Sequence, residues 1–275
     1  MAQNSDAGGR RRLFGRAPAH EPAPQDAPGA DGSLVVRVFY ESQWGKPFGS
    51  AAEAAAHYLD TGWRLGLLPT PFLDAGESRG SIAAAEHLRS AVVAPSAPEP
   101  AALLDVERYL ERFPDAATHA RGVLGHLADL SPAARGRTVV RAAEGEPRRW
   151  SEVADDLAAR TRHVRRILRS GLFDADYYAR QLGIPFLSPR AALSHYLDEG
   201  ETAGYAPNTL FEPEWFARAA RIRPRQPLLA YLRDPTRSHT SPHFDGARYL
   251  ERHPEAAEHR GGPLGHFLEL SLIHI

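Results

Sequence analysis

The chain has 275 residues and a formal net charge of −1, with 33 basic and 34 acidic side chains. That length allows one large or two small domains with a buried core, and the balanced charge argues against a nucleic-acid-binding protein. The absence of cysteine excludes disulfides and metal sites built on thiolates. No run of about 18 apolar residues occurs, so no transmembrane helix is predicted.

The N-terminal segment, residues 1–33, is rich in Ala, Pro, Gly, Asp and Gln and has few large apolar side chains. Such a segment buries too little apolar surface to offset the entropy of ordering, so a disordered tail is predicted. Arg10, Arg11 and Arg12 are not followed by an apolar segment, which argues against a secretory signal. The triplet is either a solvated part of the tail or a contact for an anionic surface.

Internal repetition is the strongest pattern in the chain. Residues 104–130 and 244–270 align without a gap at an offset of 140, with identity at about half of the positions. A fifth copy begins at Phe211, and a sixth, eroded copy runs from about Leu73 to His87. The repeating unit is therefore about 35 residues long.

Four copies share a tyrosine that precedes a histidine by 17 positions. These pairs are Tyr40 and His57, Tyr109 and His126, Tyr178 and His195, and Tyr249 and His266. In the fifth copy Phe216 stands at the tyrosine position and Ala230 at the histidine position.

The residues that start and end helices in one unit predict a pair of helices joined by a turn. Asp174 is placed to cap a first helix, which Gly183 ends. Ser188 followed by Pro189 predicts a second helix start, and Gly200 is placed as its C-cap. One such hairpin cannot bury both sides of its apolar face, so neighbouring units are expected to stack. The predicted fold class is all-α, built from tandem αα-hairpin repeats in a solenoid-like arrangement over residues 34–130 and 171–269.

Residues 131–170 interrupt the repeats and are predicted to be a linker with one amphipathic helix, which begins near Trp150 with Ser151 as its cap. The C-terminal end of this helix is rich in arginine. It either binds phosphate or anionic lipid, or is a solvated face that complements the helix dipole. The arginines are Arg160, Arg162, Arg165, Arg166 and Arg169.

The recurring histidines and aspartates are candidate site residues. The four histidines are expected in separate units, whereas a zinc site needs three or four converging ligands, so a hydrogen bond to a neighbouring turn is the favoured role. Asp105, Asp174 and Asp245 each precede an apolar helical pattern and are predicted helix caps. No phosphate-binding loop and no nucleophile elbow occurs. The sequence therefore assigns no catalytic, cofactor-binding or metal-binding residue.

Several aromatic side chains near the starts of the hairpins allow two interpretations. They belong to the core, as such residues usually do, or they line a groove that stacks against sugars. These residues are Trp44, Trp63, Trp215, Tyr177 and Tyr205.

The pattern of residues 173–216, FDxxYY followed by HYLxxGxxxGxxPNxLFxPxWF, resembles a helical repeat region of bacterial surface-polysaccharide glycosyltransferases. The resemblance is closest in residues 171–216 and 244–269 and covers about two thirds of the chain; Ala203 and Tyr205 depart from the usual pattern. It implies a non-catalytic accessory region that positions a catalytic domain, a protein partner or a glycan acceptor. A cytoplasmic location, with peripheral attachment to the inner membrane as a variant, goes with it. No cofactor, nucleic acid or catalytic residue is implied.

Two other functions are open at this stage. In the first, the chain is a stand-alone helical-repeat interaction scaffold. In the second, the chain itself catalyses sugar transfer. The second is the least favoured, because donor binding normally uses a β/α nucleotide site and no alternation of strands and helices is visible. Residues 270–275, LSLIHI, resemble a translated sequencing adapter. We therefore expect that segment to be an artefact and the parent protein to be longer.

Overall fold

The computed structural model describes residues 34–73, 80–93, 104–130, 134, 138–140, 148–222, 225–237 and 239–273. The predicted disordered tail, residues 1–33, lies outside them, as do the last two residues. Within these ranges the chain is mostly helical, with twelve α-helices and four short strands. The predicted predominance of helix is confirmed.

The first five helices precede the predicted linker. They are α1 (Arg37–Trp44), α2 (Ala51–Asp60), α3 (Ile82–Val93), α4 (Val106–Arg112) and α5 (Gly122–Asp129). The longest helix, α6 (Trp150–Ser170), follows. The remaining helices are α7 (Ala175–Leu182), α8 (Pro189–His195), α9 (Pro213–Ala219), α10 (Pro227–Arg233), α11 (Gly246–Arg252) and α12 (Gly262–Ile273). A π-helical turn, Tyr196–Gly200, extends α8.

Two short antiparallel ribbons are additions to the predicted all-helical plan. One pairs β1 (Val139–Val140) with β2 (Arg148–Arg149), directly before α6. The other pairs β3 (His239–Ser241) with β4 (Phe244–Asp245). Short 3-10 helices complete the described secondary structure. They are Gly62–Leu65, Pro114–Thr118, Pro235–Arg237 and Pro254–Glu258.

The hairpins α1–α2 and α7–α8 have the same internal contacts at an offset of 138 residues. The Gln43 amide donates to the Leu68 carbonyl (2.9 Å) and accepts from the Leu68 amide (3.0 Å). Gln181 makes the same two bonds with Ala206, at 2.8 and 3.1 Å. These two hydrogen bonds connect the first helix of the unit to the turn that follows its second helix.

Helix caps account for the recurring aspartates. The carboxylate of Asp105 accepts from the backbone amide three residues ahead at 3.2 Å, that of Asp174 at 2.8 Å and that of Asp245 at 3.0 Å. Ser188 caps α8 in the same way, at 3.1 Å. These predicted caps are confirmed, and they satisfy amides that an α-helix leaves without an internal partner.

Two predicted helix boundaries are wrong. Gly200 is not a left-handed C-cap, because the chain continues in helical conformation to Glu201. A Cβ at Gly200 would overlap the hydroxyl of Tyr178, so the glycine is required for close packing. Ser151 is not the cap of α6: the helix begins one residue earlier, after Arg149, whose side chain makes no capping bond.

The core consists of two apolar clusters that α6 connects. Trp150, at the start of α6, belongs to the first cluster, whereas Val164 and Ile167 belong to the second. The helix also holds the two halves together, since Arg165 Nε donates to the carbonyl of Gly45 at 2.9 Å. The start of α6 therefore packs into the first cluster and its C-terminal half into the second, where it also contacts the end of α1.

Repeat units that contact each other are not always consecutive in the chain. The α7–α8 hairpin contacts the next unit where Glu201 accepts from the Leu228 amide at 3.2 Å. It also contacts the first hairpin directly, since the Ser188 hydroxyl donates to the Leu65 carbonyl at 2.6 Å. Arg190 likewise donates to the carbonyl of Trp44. A single stack in chain order would not bring the copy with Tyr40 against the copy with Tyr178.

Candidate functional site

The recurring tyrosines and histidines form hydrogen-bonded pairs inside their own units. In each of the four copies the tyrosine hydroxyl lies within hydrogen-bonding distance of Nδ1 of the histidine. The distances are 2.6 Å for Tyr40–His57, 2.8 Å for Tyr109–His126, 2.7 Å for Tyr178–His195 and 2.9 Å for Tyr249–His266. The predicted bond to a neighbouring turn is thus replaced by a side-chain bond between the two helices of one hairpin.

The second ring nitrogen shows which group donates. Nε2 of His126 lies 3.2 Å from the Asp115 carboxylate, and Nε2 of His195 lies 3.5 Å from that of Glu199. A carboxylate can only accept, so it selects the tautomer with the proton on Nε2. Nδ1 then accepts from the tyrosine hydroxyl, and both nitrogens of these two histidines have structural partners.

Burial favours the neutral forms of Tyr40, Tyr109 and His57. Loss of water raises the pKa of the Tyr40 and Tyr109 hydroxyls well above the usual value for tyrosine. The same cause lowers the pKa of His57, with a smaller opposing effect from Asp60. A buried Tyr–His bond without net charge avoids the penalty of placing an ion in the core.

The fifth copy replaces both partners at once. Phe216 stands in place of the tyrosine and is 1% exposed, and Ala230 replaces the histidine. The next residue, Tyr231, is fully buried and bonds outside its unit: its hydroxyl donates to the Gly261 carbonyl and accepts from the Leu264 amide, both at 3.2 Å. Paired loss of donor and acceptor indicates that the Tyr–His bond serves packing.

In the described part of the chain, no group of three or more His, Cys, Asp or Glu side chains is placed to hold a metal ion.

An arginine lies over the ring of each tryptophan that is a candidate for stacking against sugars. The guanidinium of Arg190 lies 4.1 Å from the ring centre of Trp44, and that of Arg64 lies 4.6 Å from the ring centre of Trp63. Arg218 lies 5.8 Å from the ring of Trp215. These cation–π contacts cover ring faces that a sugar would need. Tyr177 and Tyr205 are half-buried.

A groove of about 540 Å³ lies beside the C-terminal half of α6, and the described residues that line it are all arginines. Four of the arginines follow the spacing i, i+3, i+4 and i+7, which places them on one face of the helix. The fifth is contributed by the segment before α12. We call this site the arginine groove; its residues are Arg162, Arg165, Arg166, Arg169 and Arg260.

Arg160, the remaining arginine of the predicted cluster, does not belong to the groove. Its guanidinium forms an ion pair with Asp198 and donates to the carbonyl and the hydroxyl of Ser194, both at 3.0 Å. Sequence inspection could not have placed Arg260 in the groove, because it lies in another repeat unit.

The arginine groove has no acidic counterpart. In the ranges that the structure describes, none of its five guanidinium groups has a carboxylate oxygen within 4.0 Å. Arg165 and Arg166 donate instead to the backbone carbonyls of Gly45 and Leu232, which are neutral acceptors. The full positive charge of the groove is therefore available to an external anion.

The buried carboxyl of Glu201 lies outside these sites. Glu201 is 8% exposed and accepts from the Leu228 amide at 3.2 Å and, more weakly, from the Tyr196 hydroxyl at 3.5 Å. Burial raises its pKa to about 7, against the smaller lowering effect of the two hydrogen bonds. The group is a pH-sensitive element of the junction between α8 and α10.

Comparisons with models of protein families, with curated protein sequences and with solved structures found no match for this chain. Among its described helices, none combines the length and the apolar character needed to cross a membrane.

Proposed function

We propose that this chain is the non-catalytic helical-repeat accessory region of a larger glycosyltransferase in bacterial cell-surface polysaccharide biosynthesis. The observation that supports it best is the use made of the recurring polar residues. The four Tyr–His pairs and the three aspartate caps serve bonds inside their own units. Residues that recur for architectural reasons are typical of repeat regions, and the motif of residues 173–216 resembles one from that class of proteins.

A solenoid-like stack of the units is part of the proposal for residues 171–269. Two contacts between consecutive units support it: the Glu201 carboxylate with the Leu228 amide, and the Tyr231 hydroxyl with Gly261 and Leu264. Such a stack presents a long surface to a partner. The partner is the catalytic domain in cis, another protein or the glycan acceptor, in the cytoplasm or at the inner face of the membrane.

The second candidate is a stand-alone helical-repeat scaffold that binds other proteins. It is favoured by α3, which exposes a large apolar side chain at each end: Ile82 is 48% and Val93 is 62% exposed. The two side chains are eleven positions apart, close to three helical turns, so they lie on one face that a protein partner could contact.

The first test is to sequence the source locus beyond the codon for Glu269. A reading frame that continues into a nucleotide-sugar-binding domain agrees with the proposed accessory role. A stop codon within one repeat contradicts it and favours the scaffold.

If the frame continues, a second test separates the accessory role from catalysis. The full protein is compared with a variant that lacks residues 34–269. We expect hydrolysis of the sugar donor to persist in the shortened protein, and transfer to the polymeric acceptor to fall. Loss of donor hydrolysis, with the catalytic domain still folded, would mean that the repeats contribute to catalysis.

A further inference from the structure

The arginine groove goes beyond the proposed accessory role, because it is a concentrated positive site to which no described residue contributes a paired carboxylate. Cations in the last turns of a helix are favoured by the helix dipole, which accounts for arginine near the end of α6. The dipole does not explain Arg260, which belongs to a different repeat unit. Like charges four residues apart, as in Arg162 and Arg166, also repel each other.

Close packing of two backbones brings Arg260 to the groove. A Cβ at Gly261 would overlap the carbonyl oxygen of Ser170, and a Cβ at Gly265 would lie 2.9 Å from that oxygen. These glycines let the start of α12 press against the end of α6. In the copy 140 residues earlier, Ala120 stands in place of Arg260 and Arg121 in place of Gly261, so this approach is particular to the second half.

The five guanidinium groups of the arginine groove fall into two sets that differ in their hydrogen bonds. Arg165 and Arg166 are oriented by their bonds to backbone carbonyls. Arg162, Arg169 and Arg260 are exposed, and within the described ranges they form no hydrogen bond or ion pair. The site thus combines two guanidinium groups held by backbone carbonyls with three exposed ones.

The surroundings of the groove carry the same positive field. His163, between Arg162 and the following turn of α6, has a lowered pKa. Burial is the main cause, and repulsion from Arg162, Arg233 and Arg166 adds to it.

We propose that the arginine groove binds a phosphorylated ligand through a diphosphate group. Arginine pairs with phosphate oxygens through two parallel N–H donors, which makes it the preferred residue for such sites. The volume of about 540 Å³ lies within the range of small-molecule sites, and five guanidinium groups exceed what one phosphate can engage. The diphosphate belongs to a soluble ester or to a lipid headgroup, and both present the same oxygens.

The experiment uses the whole chain with inorganic pyrophosphate as the soluble probe and isothermal titration as the assay. The test variant is R162Q/R169Q. The control is R112Q/R252Q, which removes the same charge from two exposed arginines in the last turns of α4 and α11. We expect the test variant to bind pyrophosphate at least about tenfold more weakly than the control, since a tenfold change corresponds to about 1.4 kcal/mol, which the loss of one charge-assisted hydrogen bond supplies. Added salt should weaken binding to the wild type.

A second arm identifies the source of the phosphate. Vesicles of phosphatidylcholine that contain a polyisoprenyl diphosphate are sedimented with each variant, with vesicles of phosphatidylcholine alone as reference. Pyrophosphate binding that depends on the groove supports the proposal with a soluble ligand, and vesicle binding that depends on it supports a lipid source. Equal binding of both probes to the test and control variants, or no binding of either probe to the wild type, overturns it.

Discussion

The Tyr178–His195 pair allows a sharp test of how the repeat unit is held together. Tyr178 is fully buried, and its hydroxyl lies 2.7 Å from Nδ1 of His195. Y178F removes only the hydroxyl, and H195A removes its acceptor. The double variant Y178F/H195A reproduces the natural combination of Phe216 and Ala230 in the fifth copy.

The expected magnitudes follow from burial. Y178F deprives a buried nitrogen of its hydrogen bond and should lower the free energy of unfolding by about 1–3 kcal/mol. H195A deprives the hydroxyl of its acceptor and also leaves a cavity, so about 3 kcal/mol is expected. The double variant no longer contains an unsatisfied partner. It should be destabilised by about 1–2 kcal/mol less than the sum of the single variants.

The assay is urea unfolding followed by the fluorescence of the four tryptophans, with Y177F as a matched control. Tyr177 is the adjacent residue and is only half-buried, so Y177F should change the free energy of unfolding by less than about 0.5 kcal/mol. Single-variant effects that add within about 0.3 kcal/mol, or equal effects of Y178F and Y177F, would refute the proposed coupling.

Three further predictions concern the same region. Gly200→Ala should destabilise the protein by at least about 2 kcal/mol in a thermal-unfolding assay, because its Cβ would overlap the Tyr178 hydroxyl; unchanged stability would mean that the π-helical turn adjusts freely. Asp174→Ala should cost about 1 kcal/mol through loss of the cap, whereas Asp176→Ala, in the exposed first turn of α7, should cost less; equal effects would contradict the capping role. Glu201 has a folded-state pKa of about 7, above its value in the unfolded chain, so its stabilising effect is present below about pH 4.5 and is lost as the pH rises through 7. Relative to E201Q, the wild type should therefore lose about 3 kcal/mol between pH 4.5 and 8 in urea titrations, and a constant difference would show that the carboxyl is not held protonated.

Local chemistry was predictable from the sequence wherever one residue acts on its own neighbourhood. Asp174 and Ser188 cap the helices that follow them, since the bond reaches only three residues ahead. Gly183 ends α7 in the left-handed conformation, with φ of 71°. Such features depend on backbone sterics and nearby amides, which the sequence displays directly.

Contacts between separate helices were not predictable in the same way. The spacing between Tyr178 and His195 is visible in the sequence, but the bond depends on how α7 and α8 cross. Gly200 shows the same difficulty: a glycine near a helix end is either a cap or a point of close approach, and only the position of Tyr178 decides. The β3–β4 ribbon is not predictable from the sequence, because strands of two or three residues are too short to show an alternating pattern.

Comparison of the two halves separates what the fold requires from what it does not. The offset of 140 places Arg121 and Gly261 at equivalent positions. Arg121 forms an ion pair with Asp129 inside its own unit, whereas Gly261 makes room for the carbonyl of Ser170. Both halves contain Tyr–His pairs and aspartate caps, so those features belong to the repeat unit and not to one half. The approach of Arg260 to α6 occurs in one half only, and folding of the unit therefore does not account for it. This asymmetry is the physical reason to look for a ligand at the arginine groove and not at the recurring histidines.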